Sequence, residues 1–501
     1  MCGTNYHQVI MYFKCGGCGN TISSNEVKTK IKEVSSGVFN GTKHCPNCDA
    51  QILDAEYFWD KLLTRKYHPP KIYSCYVLMV MMAIITLFSC THAPKSYMIV
   101  LTDRPENLET PLKYFKEDFT PNDHFFVRWH TQNVPTTVDT DTFKLRVLGD
   151  VKKSIAISLA DIKKLPRFTI NAVCVCAGNA RAFSKPSVAG IQWSNGGMGN
   201  AKWVGVKLKD MLSLTGNIDS TSVLSFNGLD EPLASAPDYV KTMKYKDLDN
   251  AMIAYEMNGK SLSISQGFPL RLVVAGWYAT YWVKMLSEIT VYTKTKIPAF
   301  YWMDKGYLMP KDKEKADSLS KETKPISKIA IRSIFVSPEP ETIIEKNKSC
   351  EIEGLAFDSG EGIDKVEIST DGKEWKNTRL DKSLGNFSWR RWKYNFIATD
   401  SNYTFMVRAT NKVGETQPLT QEWNRSGYAR NAIETLTLRT YNIKDLIVQK
   451  CTACHSLKYL EMQPDLKREN WQKILKKMDL FGGGTDSIEK EQIIKYKKNM
   501  K

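Results

Sequence analysis

The sequence predicts a multidomain protein in which an α+β domain is followed by an immunoglobulin-like β-sandwich and a small all-α domain, behind a cysteine-rich leader and one apolar segment. Three observations predict it. The 501 residues, at a typical size of ~150 residues per domain, suggest about three domains. Hydrophobic periodicity changes twice along the chain, from strands mixed with short helices to alternating segments and then to a helical pattern. An uncharged run from Ile72 to Ser89 is about the length that a bilayer-spanning helix requires.

Composition narrows the classes further. With 42% hydrophobic and 25% charged residues the chain is ordinarily globular, which excludes wholesale disorder, collagen-like repeats and a polytopic membrane protein. The net charge of +16 would attract acidic proteins, anionic lipid or nucleic acid. Because it is spread along the chain rather than gathered into basic blocks, no nucleic-acid partner is expected. Twelve cysteines are too sparse for a disulfide framework, and most stand in short-spaced pairs of the kind that metal and cofactor sites use.

Residues 1–70 form the leader. Cys15-Gly16-Gly17-Cys18 and Cys45-Pro46-Asn47-Cys48 are two CxxC knuckles, each on a tight turn, and four thiolates so placed predict a structural zinc ribbon, with His44 as an alternative ligand. Over 71–90 the apolar run follows Lys61, Arg65, Lys66 and Lys71, so the positive-inside rule keeps the leader cytoplasmic and sends the rest outward. The expected location is the periplasmic side of a bacterial membrane. The run ends Leu87-Phe88-Ser89-Cys90, similar to a lipoprotein cleavage box, so the tether is either the Ile72–Ser89 helix or lipid on Cys90.

Residues 91–120 read as a polar linker. The α+β domain is expected over 121–310, with strand-like runs such as Leu270 to Val274 and short helices such as the one capped by Ser158 and stopped at Pro166. Over 325–428, Val366 and Ile368 followed by Asp371-Gly372 and Trp375 signal a hairpin within a sandwich. Residues 440–501 turn helical and hold Cys451-Thr452-Ala453-Cys454-His455. Two thiols at this spacing can add to the haem vinyl groups while the next imidazole reaches the iron, so Cys451 and Cys454 are the expected attachment points and His455 the axial ligand of a c-type haem. Met478 is the expected sixth ligand and Met462 the second candidate.

Cys174-Val175-Cys176 places a thiol after a buried strand and ahead of a Gly-Asn turn, beside cationic residues, as a soft-metal ligand requires. Its neighbourhood extends this. Phe126-Val127-Arg128-Trp129-His130, the block from Cys176 to Leu208, FNGLDEP from Phe226, GFPLRLVV from Gly267, YATYWVKMLSEITV from Tyr278, and Tyr301-Trp302-Met303 with Tyr307 and Pro310 are colinear. In these blocks the sequence resembles the sulfite oxidase family of molybdenum enzymes, and most closely its bacterial sulfite dehydrogenases.

The resemblance implies a molybdenum atom on a pterin dithiolene with Cys176 as its one protein ligand. Arg128, His130 and Arg181 match the cationic substrate pocket, and Tyr307 matches the active-site tyrosine. Phe126, Trp129, Asn227, Gln266, Arg271, Trp282, Val283 and Lys284 fall at cofactor-binding positions, Gln266 where eukaryotic relatives often carry histidine. The implied activity is oxidation of sulfite to sulfate, with electrons passing singly through the fused haem to an acceptor cytochrome or other redox protein. The sandwich resembles the family's dimerisation domain, which implies a homodimer. Two other readings stay open: a sulfoxide reductase of the same family, and a non-catalytic haem electron carrier.

Overall fold

The computed structural model describes residues 98–501, apart from 234–235, 296, 298–304, several positions within 453–465, 483, 486 and 499–501, together with four short strands before residue 45. The chain divides into two compact units, Met1–Thr91 and His92–Lys501. In the first, Tyr12–Lys14 pairs antiparallel with Thr21–Ser23, and Lys28–Val34 with Val38–His44. Cys15, Cys18, Cys45, Cys48 and the Ile72–Ser89 run lie outside the described residues. Among the described residues no helix is long and apolar enough to cross a membrane, and no group of three or more His, Cys, Asp or Glu could hold a metal.

The second unit opens with a three-stranded antiparallel sheet, Ile99–Asp103, Glu106–Glu109 and Val127–Arg128, and continues into two five-stranded sheets. In one, Arg167–Val175 pairs antiparallel with Met198–Lys207 along its whole length, from Arg167 opposite Val206 to Val175 opposite Met198. Ala251–Met257 continues this sheet and carries Arg271–Val274 and Lys260–Ser261. The other sheet runs Lys241–Lys244, Val223–Asn227, Glu288–Tyr292, Lys144–Gly149 and Ile155–Ser158, with one parallel pairing in its middle. Ala172 to Val175 are all buried, so this strand end is covered on both faces, which is why it reads as continuous apolar sequence rather than alternation. The sandwich supplies part of that cover: Val173 N donates to Phe387 O at 2.9 Å, and Trp389 lies in the same core.

The α+β expectation needs correction, because this domain is mostly sheet. Between residues 98 and 440 the described α-helices are Leu159–Ile162 and Leu208–Leu212. The first is capped as anticipated, Ser158 Oγ accepting from Asp161 N at 3.1 Å. Its length is limited by the nearby Pro166, which cannot continue a helix, and the strand-favouring residues that follow enter Arg167–Val175.

The sandwich has a four-stranded sheet, Arg332–Ser337, Ser349–Phe357, Arg390–Ile397 and Arg379–Leu380, facing a five-stranded one, Ile343–Glu345, Glu434–Tyr441, Asn402–Asn411, Ile363–Ser369 and Lys376–Asn377. Ile352, Trp392, Phe405, Val407 and Leu436 fill the space between. The anticipated hairpin is present: Ile368 pairs with Lys376, and Asp371 Oδ1 accepts from Lys373 N and Glu374 N across the turn. The domain runs beyond residue 428, since Glu434–Tyr441 is an inner strand bonded along Asn402–Asn411 and Ile343–Glu345. Among the described residues the helices Ile443–Cys451, Arg468–Leu480 and Ser487–Lys498 follow, around Leu446, Ile447, Trp471, Leu475, Ile493 and Ile494.

Candidate functional site

Cys176 is the first residue after Arg167–Val175, and its amide donates to Gly197 O at 2.9 Å, so it is held by the neighbouring strand as that strand begins. Two turns follow, with Asn179 N bonded to Cys176 O and Arg181 N to Gly178 O, both at 3.0 Å. The thiol is buried. Burial pushes it up, while the Arg128 guanidinium, the Gly178 amide and Arg181 pull it down. A thiol in this setting is kept protonated chiefly by desolvation, with Glu109 adding to it, and a bound cation would replace that proton with help from the surrounding positive charge.

In front of Cys176 is a cavity lined by Phe126, Arg128, Trp129 and His130, by Tyr239, Gln266 and Arg271, and by Thr280, Trp282, Lys284 and Tyr307. The lining comes from segments far apart in sequence that meet at the ends of the first sheet. Gln266 fixes one wall: its Nε2 donates to Phe125 O and Phe126 O at 3.2 Å, and its Oε1 accepts from Arg271 Nη1 at 2.9 Å. Arg271 Nη2 also lies 3.5 Å from Cys174 Sγ. Burial pushes the Cys174 thiol up to about 12, so it sits beside Arg271 as a neutral group. Lys284 Nζ lies 3.2 Å from the centre of the Trp129 ring and donates to Ser265 O at 3.1 Å.

Arg128, Arg271 and Lys284 thus bring three cationic side chains into one enclosed space. Among the described residues none of the three is in an ion pair. Asp230, the carboxyl group in the lining, is raised by its own burial and bonded by Thr131 Oγ1 at 2.8 Å. Burial, then the Arg271 charge, drives Lys284 well down against the opposing pull of Asp230 and Glu106, and burial also lowers Arg271. Arg271 Nε and Thr280 Oγ1 are buried without a hydrogen-bond partner. Buried donors and unbalanced cations are costly unless something supplies acceptors and negative charge. An anionic cofactor with phosphate oxygens meets both needs, so the residues present fit a pterin phosphate on Arg271 and Lys284, with a metal on Cys176.

His130 and Tyr307 form the opposite side. His130 Nε2 and the Tyr307 hydroxyl share a short hydrogen bond, and the His130 ring lies 4.7 Å from Tyr239. Burial, reinforced by Arg128, Lys284 and Lys241, holds His130 well below its usual range, and burial holds Tyr307 well above its own. Both are therefore neutral near pH 7, a pair able to hold one proton between them at the cavity wall. Arg128 is anchored by Asn107 Oδ1, 3.1 Å from its Nη1, and by Trp129 O.

Most of the residues anticipated from sequence come together here. Val283 stands between the lining residues Trp282 and Lys284 without lining the cavity itself, its carbonyl accepting from Leu272 N at 2.9 Å. Asn227 and Arg181 are exceptions. Asn227 ends Val223–Asn227 and bonds Asp238 at 2.8 Å instead of lining the cavity. The Arg181 guanidinium is held behind the Cys176 turn by Ser426 O and Ile191 O, each at 2.9 Å. Gly190, at φ +109°, makes room for it: a Cβ there would lie 2.6 Å from Arg181 Nη1. Tyr239, Lys241 and Thr280 were not anticipated. Tyr239 donates to Thr280 O at 2.9 Å, and Lys241 is buried with its Nζ 5.7 Å from the centre of the Tyr307 ring. No local sequence signal marks Lys241, which begins the polar strand Lys241–Lys244.

In the C-terminal helices, Cys451 ends Ile443–Cys451 and its carbonyl accepts from His455 N at 2.9 Å. The His455 ring stacks on Tyr459 with centroids 5.0 Å apart. Met478 is half-buried on Arg468–Leu480, Met462 is exposed, and Cys454 lies outside the described residues.

Comparison with known proteins agrees with this geometry. Residues 131–301 match the family described as oxidoreductase molybdopterin binding domain, and residues 323–439 the Mo-co oxidoreductase dimerisation domain. Human mitochondrial sulfite oxidase is 30% identical over 353 residues, covering 66% of this chain and 64% of its own length. Sulfite oxidase of Arabidopsis thaliana is 28% identical over 365 residues, covering 67% of this chain and 92% of its own. The chain thus spans less than two thirds of the mammalian proteins and most of the plant one. Among solved structures, the sulfane dehydrogenase SoxCD of Paracoccus pantotrophus shares the fold, with a TM-score of 0.57 and 23% identity over 76% of this chain and 93% of that one.

Proposed function

Since the chain belongs to the sulfite oxidase family of molybdopterin oxidoreductases and carries that family's dimerisation domain, we propose that it is a sulfite dehydrogenase. It oxidises sulfite to sulfate, taking the added oxygen from water and releasing two electrons and two protons. The electrons leave one at a time through a c-type haem on Cys451, Cys454 and His455 to an external redox protein. The enzyme works as a homodimer tethered at the periplasmic face of a membrane.

The observation that carries this reading is the convergence of Arg128, Arg271 and Lys284 with Cys176 in one buried cavity, where Arg271 Nε is buried without a hydrogen-bond partner. When bound, a molybdenum-pterin group supplies the two-electron redox chemistry. The protein's own share is binding and orientation. Cys176 holds the metal, and Arg271 and Lys284 hold the pterin phosphate. Arg128, a guanidinium with fork geometry, draws in a small dianion and orients it by charge-assisted hydrogen bonds. The neutral His130–Tyr307 pair gives the incoming oxyanion a hydrogen-bond donor and holds a proton at Tyr307 Oη or His130 Nε2. Trp129, Trp282 and Phe126 exclude bulk water, which strengthens each of these interactions.

The reading is tested by adding sulfite anaerobically to the purified, oxidised full-length protein, assayed for molybdenum, while recording the haem spectrum. Prompt haem reduction that is lost in Cys176→Ser is the expected result. A haem that stays oxidised in molybdenum-loaded protein rejects it.

A further inference from the structure

The loop from Asn424 to Arg430 belongs to the sandwich in sequence, yet it is built against the turn that follows Cys176. Ala429 N donates to Ala177 O at 3.0 Å, and Arg181 Nε donates to Ser426 O at 2.9 Å. Gly427, at φ +59°, takes a left-handed conformation where a Cβ would come 2.9 Å from Arg181 Cγ and 2.7 Å from Val188 Cγ2, so the approach demands glycine. Asn424 closes the loop on itself, its Nδ2 donating to Tyr428 O and its Oδ1 accepting from Tyr428 N, both at 3.0 Å. The loop therefore delivers one side chain, Tyr428, in a fixed orientation.

Tyr428 touches Tyr307 in the cavity wall and Arg181 in the turn after Cys176. Its ring stacks on Tyr307 with centroids 5.3 Å apart and planes 12° apart, and its hydroxyl donates to Gly306 O at 3.3 Å, on the segment that carries Tyr307. The Arg181 guanidinium lies 5.1 Å from the centre of the same ring. Tyr307 in turn bonds His130. One aromatic ring from the second domain thus connects the Cys176 turn to the proton-holding pair on the far side of the cavity.

We propose that Tyr428 is a positioning residue for oxyanion binding, supplied by the sandwich domain, which holds Tyr307 by stacking and Arg181 by a cation–π contact. Arg181 acts on the pocket by fixing this ring against Tyr307, and the catalytic domain without its sandwich lacks a working substrate pocket. The proposal rests on the oxyanion chemistry proposed above, and it names the residue that shapes the pocket rather than the reaction.

The test uses the full-length holoenzyme as Tyr428→Leu, Tyr428→Phe and Arg425→Gln, the last removing the Arg425 side-chain bonds to Glu314 while leaving its amide bond to Glu314 and the Tyr428 contacts in place. Sulfite turnover is measured with ferricyanide as acceptor, and sulfate binding by isothermal titration. Tyr428→Leu should raise KM for sulfite and Kd for sulfate together by roughly tenfold, the scale expected of one aromatic contact with its attendant cation. Its kcat should change less. Tyr428→Phe, which keeps the stack, should recover both constants to within about threefold of wild type, and Arg425→Gln should lower the melting temperature without moving either. Constants for Tyr428→Leu within about twofold of wild type, or Tyr428→Phe as impaired as Tyr428→Leu, would overturn the proposal. If the wild type binds sulfate but does not oxidise sulfite, the reaction assignment fails, and the sulfate Kd of Tyr428→Leu still decides the role of Tyr428.

Discussion

Arg271 in the first domain and Arg332 in the sandwich are almost equally buried, at 4% and 2% exposure, but only Arg332 faces a carboxylate. Glu434 pairs with it, and Asn195 joins both, its Oδ1 accepting from Arg332 Nη2 and its Nδ2 donating to Glu434 at 3.0 Å. Arg271 has instead the neutral Gln266 and Cys174 beside it. Elsewhere in the sandwich the pattern of Arg332 repeats: Glu367 takes Arg408 at 3.0 Å and Lys365 at 3.1 Å. The difference separates charge that holds a fold from charge that waits for a partner. Neutralised pairs tolerate burial, whereas an uncompensated buried cation persists where a ligand completes it.

The contrast breaks most visibly in substitution to methionine. Arg332→Met strands Glu434 in the interface between the two domains and should cost about 3–5 kcal/mol in urea unfolding. Arg271→Met, at a site of equal burial, should leave the melting temperature of cofactor-free protein unchanged or higher. Its molybdopterin content after purification should nevertheless fall by roughly tenfold or more, as expected for loss of a charge-assisted phosphate contact. Equal destabilisation by the two changes would erase the distinction.

The titration of His130 sharpens the same comparison with a smaller effect. Burial and then the neighbouring cations lower its pKa in the folded chain, while in the unfolded chain it takes a proton near ~6.5. The unfolded state therefore binds more protons below that pH, so stability is unaffected above it and falls as pH drops through it, by at most ~1.4 kcal/mol per pH unit. His130→Gln should remove this slope, giving a flatter stability difference between pH 7.5 and 5.5 in denaturant titrations. Smallest of all should be Arg439→Met, which breaks a pair to Glu341 whose side chains are 53% and 55% exposed. A change above ~1 kcal/mol there would mean that exposed pairs on the sandwich matter more than screening allows.

Much of the site was legible because its parts carry local signals. The strand before Cys176, the hairpin at Asp371-Gly372 and the Ser158 cap follow from patterns a few residues long, and each is found in the structure. The balance of helix and sheet is not legible in the sequence, since short apolar runs between polar residues fit either element until strand partners are known. The end of the sandwich is hidden for a related reason: Glu434–Tyr441 lies after a long loop and is recognisable as an inner strand only by its two neighbours.

The amino-acid sequence by itself determined which residues could bear the chemistry: a cysteine at a strand end, arginines and lysines in colinear blocks, and a Cys-x-x-Cys-His segment. Only the tertiary structure decided how they divide the work. It turned Arg181 away from the cavity lining and onto Tyr428, brought Lys241 and Tyr239 in, and left Arg271 without a counter-charge while giving one to Arg332. The reason is physical. Periodicity and capping depend on neighbours along the chain, but the neutralisation of a buried charge and the stacking of two rings depend on which distant segments share a low-dielectric space.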